Sequence, residues 1–152
     1  MGFVRTIKEL IDAFNGRIAN DNIKSSAGIE LTKLENRVWT DWSGSLAPTG
    51  YAGSPTVVAN YCKIGKIIFL WINITGTSNA VSLNCTLPYA AERAENHVIF
   101  KVTDNSVAQT NIGMGTTGAA STTLTCKKDA AATNFTNANT KAIQGLLIYE
   151  SD

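Results

Sequence analysis

A chain of 152 residues suits one compact domain with a short appendage, and its formal charge of +1 offers no broad basic field to a nucleic-acid backbone. No apolar run approaches the roughly 18–20 residues needed to cross a bilayer. Neither nucleic acid nor membrane is therefore an expected partner. The opening stretch "MGFVRTIKELIDAF" carries charge every few residues, so it does not read as a secretory signal.

Residues 1–37 hold 11 charged side chains and the remaining 115 residues hold 14, which sets a boundary near Arg37. Within the first region Val4, Ile7, Ile11, Phe14 and Ile18 recur at the spacing of an amphipathic helix seam. Such a helix spans roughly 21 Å and is marginal in isolation, because helix nucleation is costly. It is expected to pack on a sister copy, on a separate partner or back on its own domain. The following stretch "NDNIKSSAGIELTKLENRV" reads as a linker or stalk, weakened as a helix by Gly28 and Ser25-Ser26. The reading is thus a helical anchor and linker over 1–37 and a second domain over 38–152.

Beyond Trp39 the texture turns to Thr, Ser, Asn, Gly and β-branched residues. Strands are predicted near 38–42, 56–64, 67–75, 81–87, 97–104, 107–113, 121–127 and 143–150. The stretches "SGSLAPTGYAGSP", "GMGTTGAAS" and "NFTNANT" read as loops, and "GTSNA" as the closure of a hairpin. Turn signals at about ten-residue intervals indicate an antiparallel β-sandwich, jelly-roll-like in its eight strands.

Gly65-Lys66 reads as a two-residue turn, which sets Ile64 opposite Ile67, Cys62 opposite Phe69 and Asn60 opposite Trp71. One face of this hairpin, with Ala59, Tyr61, Ile68, Leu70, Ile72 and Ile74, is a core face. The other mixes Phe69, Trp71, Ile64 and Ile67 with Asn60 and Asn73, which is not a solvent face. Exposing Phe69 and Trp71 forgoes roughly 1.5–3 kcal/mol each. An aromatic cluster with interspersed polar groups fits an interface between copies, with Asn60, Cys62, Phe69 and Trp71 as its contacts. Burial under another sheet of the same chain is the alternative.

The chemistry-bearing residues are sparse. Cys62, Cys85 and Cys126 lack metal-ligand spacing and read as buried strand thiols, with no metal or cofactor implied. His97 is the sole histidine and stands at a strand start, without the partners that nucleophilic catalysis requires. Glu92 and Glu95 flank Arg93 on what reads as a solvated loop, not the facing pair that glycoside hydrolysis needs. Binding of a sugar without cleavage stays open: Trp42 and Tyr51, with Trp39, lie in or beside a loop and are candidates for stacking on a pyranose ring, although at least one of the two tryptophans is expected to pack in the core instead. Trp39 and Trp42 are three apart and so belong to opposite faces of a strand.

Four stretches, "NDNIKSSAGIELTKLENRV", "TVVANYCKIGKIIFLWINITG", "VSLNCTLPYAA" and "AIQGLLIYES", taken in that order over residues 21–150, resemble bacteriophage fibre proteins. In that class a segment like "DNIKSSAGIELTKL" links an attachment region to a distal sandwich. The sandwich opens on a Trp-rich strand (here "RVWTDWSGSL"), includes a strand ending in Leu87-Pro88 and closes on Tyr149-Glu150. The resemblance implies a homotrimeric head or tail fibre of the virion. Its N-terminus, here Val4, Ile7, Ile11 and Phe14, would dock on a capsid or tail protein while the sandwich meets a host-surface glycan. Met1 begins almost directly at the short helix, which favours a small fibre or spike over a long tail fibre. A soluble carbohydrate-binding module is the main alternative.

Overall fold

Gly65 adopts φ +60° and Lys66 completes the two-residue turn between β2 (Tyr51–Ile64) and β3 (Ile67–Ser78). A glycine with positive φ at the first central position is the turn that matches strand twist. The hairpin register is the one expected, with Ile64 opposite Ile67, Cys62 opposite Phe69 and Asn60 opposite Trp71. The computed structural model describes residues 38–151, so the expectations for Val4, Ile7, Ile11 and Phe14 lie outside the described residues.

The protein is mainly β, built of two antiparallel sheets, an arrangement consistent with a β-sandwich, and no helix occurs among the described residues. The further strands are β1 (Thr40–Asp41), β4 (Leu83–Ala91), β5 (Glu95–Ile99), β6 (Lys101–Asp104), β7 (Val107–Ala108), β8 (Gly113–Thr117), β9 (Ser121–Lys127) and β10 (Thr140–Glu150). Six form one sheet in the order β1-β2-β3-β10-β6-β7, and four form the other in the order β4-β9-β8-β5. The pairings are nested: β3 with β10, β4 with β9, β5 with β8 and β6 with β7. From β3 onward the chain is therefore one long hairpin rolled on itself. Its bend is at Asn105-Ser106, where both residues have positive φ.

The core lies between the sheets. Strand β3 contributes Ile68, Leu70, Ile72 and Ile74, all fully buried, and the facing sheet contributes Leu83, Leu87, Ile99 and Leu124. All three cysteines are buried free thiols. Cys85 and Cys126 sit in this core, where their mutual hydrogen bond and burial hold the Cys126 thiol well above its usual range.

Several local expectations need correction. The span 97–104 is two strands in different sheets, with the chain crossing between them at exposed Phe100. The "GMGTTGAAS" stretch is not a loop: its first five residues are β8. Gly113 and Gly115 face inward there, because a Cβ would stand 2.6 Å from Val102 Cγ2 at the first and 2.9 Å from Leu124 Cδ1 at the second. "GTSNA" closes no hairpin; it carries the chain from β3 into the other sheet. Strand β2 starts at Tyr51, five residues before the predicted start, and absorbs the early part through an irregularity between Ala52 and Thr56.

Gly50 has φ +88°, and a Cβ there would lie 2.1 Å from the Ser82 carbonyl oxygen; Gly53, at φ +68°, faces open space. Gly50→Ala is expected to cost about 3 kcal/mol or more, and Gly53→Ala only about 1 kcal/mol. Urea-denaturation midpoints of the two variants side by side check the contrast.

Candidate functional site

The second face of β3 is the chemically unusual surface. The four-stranded sheet covers the inner face of the six-stranded sheet; among the described residues, the outer face has only partial cover. Its side chains form rows that run across the strands. Cys62, Phe69 and Ile148 make one row, and Asp41, Asn60, Trp71 and Leu146 the next. Then come Val58, Asn73, Gln144 and Lys101, followed by Thr56, Thr75, Ala142 and Thr103. Ile64 and Ile67 close the face at the hairpin end, where Val38 and Ser151 also lie; the Ser151 N–H donates to the Lys66 carbonyl.

Two hollows occupy this face. An apolar one of about 400 Å³ is lined by Trp39, Asn60, Trp71 and Leu146. Around it Trp39 is 50% exposed and Ile148 52% exposed, while Phe69 and Trp71 are half-buried. A polar one of about 310 Å³ lies toward the other end, between Asn73, Thr75, Lys101, Thr103, Ala142 and Gln144.

The expected contact residues divide on inspection. Asn60, Phe69 and Trp71 share the outer face as predicted. Cys62 shares it too but is only 5% exposed, so its thiol contributes little contact area. The candidate sugar-stacking residues do not form a platform. Tyr51 is 7% exposed and packs in the core, its ring pressed against the backbone at Gly76, so it offers no surface to a ligand. Trp42 is half-buried; its Nε1–H donates to the Thr86 carbonyl (3.1 Å), and its ring meets Tyr61 edge-on at 5.9 Å. Trp39 and Trp42 do fall on opposite sides, and Trp39 alone reaches a hollow on the outer face.

Two buried polar centres escape periodicity altogether. Lys141 is fully buried on β10; its ammonium donates to the Ala80 and Ser82 carbonyls and lies 5.2 Å from the Tyr51 and Phe135 rings. Burial lowers its pKa, opposed by the charge of Asp104. Asp104 accepts from the Thr136 N–H, the Thr136 hydroxyl and the Lys128 ammonium. Burial alone would raise that carboxyl, but these partners outweigh it and hold it below the usual carboxylate range. Both centres pin loops to the sheet. Lys141 stands between Thr140 and Ala142, and Asp104 between Thr103 and Asn105, so nothing local distinguishes either from a surface charge.

His97 is buried on β5, with Nε2 3.4 Å from the Thr117 hydroxyl and its ring edge-on to Tyr149 at 6.2 Å. It is a packed core side chain. Glu92 and Glu95 are not a facing pair: Glu92 meets Lys66 at 3.2 Å, Arg93 meets Glu150 at 2.6 Å, and Glu95 opens β5. Among the described residues no three His, Cys, Asp or Glu side chains cluster as metal ligands would. No protein-family model matches the chain, and no curated protein sequence matches it.

The Tyr51 hydroxyl is buried with no hydrogen-bond partner among the described residues. Tyr51→Phe is therefore expected to leave stability unchanged or raise it by about 1 kcal/mol, read from thermal or urea unfolding. Burial pushes the His97 pKa down, against the Glu95 charge and a bond to the Ile148 carbonyl. The folded state thus keeps the imidazole neutral. Stability from this group is full above the unfolded value of about 6.5 and is lost as pH falls from there through the lowered folded value. Asp104 acts in a separate window, below its unfolded value of 3.8. Denaturation midpoints between pH 7 and pH 5 should fall for the native chain and fall less for His97→Gln.

Proposed function

We propose that this chain is a virion structural protein, a homotrimeric phage fibre or spike. On this reading its N-terminal helical region, through Val4, Ile7, Ile11 and Phe14, attaches to a capsid or tail protein. A jelly-roll-like sandwich then projects outward and recognises a host-surface glycan. No cofactor and no catalysis enter the role. The nested strand pairings support the jelly-roll-like reading, although the inner pairs divide between the sheets differently from the standard arrangement.

The observation that carries the reading is the apolar half of the outer face. Phe69, Trp71, Leu146, Ile148, Ile64 and Ile67 have only partial cover among the described residues, and burying each large side chain is worth roughly 1.5–3 kcal/mol. A closed ring of three copies needs two unlike patches that fit each other. Two unlike features on the face support such a ring: the exposed Ile148 on β10, and the apolar hollow lined by Trp39, Asn60, Trp71 and Leu146. The order of the fibre-like motifs in the sequence points the same way.

A soluble carbohydrate-binding module is the second reading, favoured by the polar hollow on the same face. The two separate by mass. Analytical ultracentrifugation of the full chain should give three times the protomer mass. Phe69→Asp with Trp71→Asp should give a monomer with an unchanged far-ultraviolet circular dichroism spectrum, because about 3–6 kcal/mol per copy is lost. A native chain that sediments as a monomer, and that mass spectrometry fails to find in purified particles, overturns the fibre reading.

A further inference from the structure

We propose that the polar hollow on β3, β10 and β6 is a binding site for an acidic sugar, a pyranose bearing a carboxylate. This rests on the attachment reading above, which gives the sandwich a glycan but no place to hold it, and it moves that place away from Trp42 and Tyr51.

Asn73, Gln144 and Lys101 lie side by side in one row, and Thr75 and Thr103 lie in the next. None of these five side chains makes a hydrogen bond to another described residue, whereas most polar side chains around the two buried centres are paired. Their backbones are held by ladders on three adjoining strands, so the five side chains leave one face at fixed spacing. Ala142 stands between Thr75 and Thr103, and its small side chain gives the row its depth. The volume of about 310 Å³ is at the low end for small-ligand sites, which fits a single sugar residue.

The chemistry of the groups narrows the ligand. Two amides and two hydroxyls supply both donors and acceptors, which is what vicinal sugar hydroxyls demand. A free phosphate, which mainly accepts, would leave the amide oxygens of Asn73 and Gln144 unmatched. Lys101 is the one charged side chain among the described residues that line the hollow, so a carboxylate on the sugar has a partner there. Val58, opposite Asn73 on β2 and exposed, offers an apolar surface beside the row for a C–H face of the ring. The site is also at the opposite end of the sheet from Val38 and the Gly65-Lys66 turn, roughly 20 Å along the strands from Ile67.

The test is titration of the full chain with a hyaluronan tetrasaccharide and, separately, with neutral chitotetraose, following the methyl signals of Thr75, Thr103 and Ala142 by nuclear magnetic resonance. The acidic sugar should shift these methyls saturably in the millimolar range, and the neutral one should bind about fivefold more weakly. Gln144→Ala should weaken both sugars about tenfold. Lys101→Met should remove the preference for the acid while leaving the neutral sugar unaffected. Sedimentation of each variant should match the native chain. Failure of both sugars to shift the methyls, or shifts centred elsewhere, overturns the site while a trimeric mass leaves the fibre reading standing. A change of mass in Asn73→Ala or Gln144→Ala also overturns it, since the row would then belong to a subunit contact. A sugar-binding monomer keeps the site and removes the fibre.

Discussion

Strand β3 has apolar side chains on both of its faces, and the described residues cover only one of them in full. The inner set, Ile68 to Ile74, is sealed by the facing sheet. No shift of register buries both sets at once, because a slip of one residue would simply exchange the two faces. Pairing with β2 on one side and β10 on the other, over almost its whole length, fixes that register twice. The outward apolar set is therefore fixed by the strand pairing itself.

The two ends of the sandwich are closed by different chemistry. At the hairpin end the ties are Ser151 to Lys66, Lys66 to Glu92 and Arg93 to Glu150, the last two of them largely exposed and so worth little individually. At the other end the ties are buried: Lys141 holds the 80–82 segment, and Asp104 holds the loop after β9 through Thr136 and Lys128. Removing one partner of a buried charge group costs far more than removing an exposed one. The end that carries the polar hollow is thus the more firmly braced, which suits a surface whose side chains must stay in place for a ligand.

What could be read from the sequence followed from local rules. A glycine-initiated two-residue turn leaves one register open, so the central hairpin was legible to the residue. Alternation identified the inner face of β3 and the opposite facing of Trp39 and Trp42. The misses came where distant residues overrode local signals. Gly113 and Gly115 look like loop residues until Val102 and Leu124 are known to press on them. The crossing at Phe100 interrupts a run, Glu95 to Asp104, that is continuous in composition. Tyr51 sits in a Gly- and Pro-rich stretch that suggests an exposed loop, yet it is core, and the amide row exists only because residues 73, 101 and 144 meet across three strands.

That row also bears on whether the outer face is one surface or two. On β3 the outward residues change from Phe69 and Trp71 to Asn73 and Thr75; on β10 they change from Ile148 and Leu146 to Gln144 and Ala142, at the same rows. Strand β6 contributes only to the polar side, with Lys101 and Thr103. A chance distribution of apolar residues would not switch in step on strands some 70 residues apart in sequence. If the whole face met sister copies, Lys101 and both amides would need buried partners, because an unpaired buried charge is costly. A boundary between the Trp71 row and the Asn73 row removes that cost: the apolar rows can be covered by other copies while the polar rows stay in water, open to a ligand that competes with water for the same hydrogen bonds.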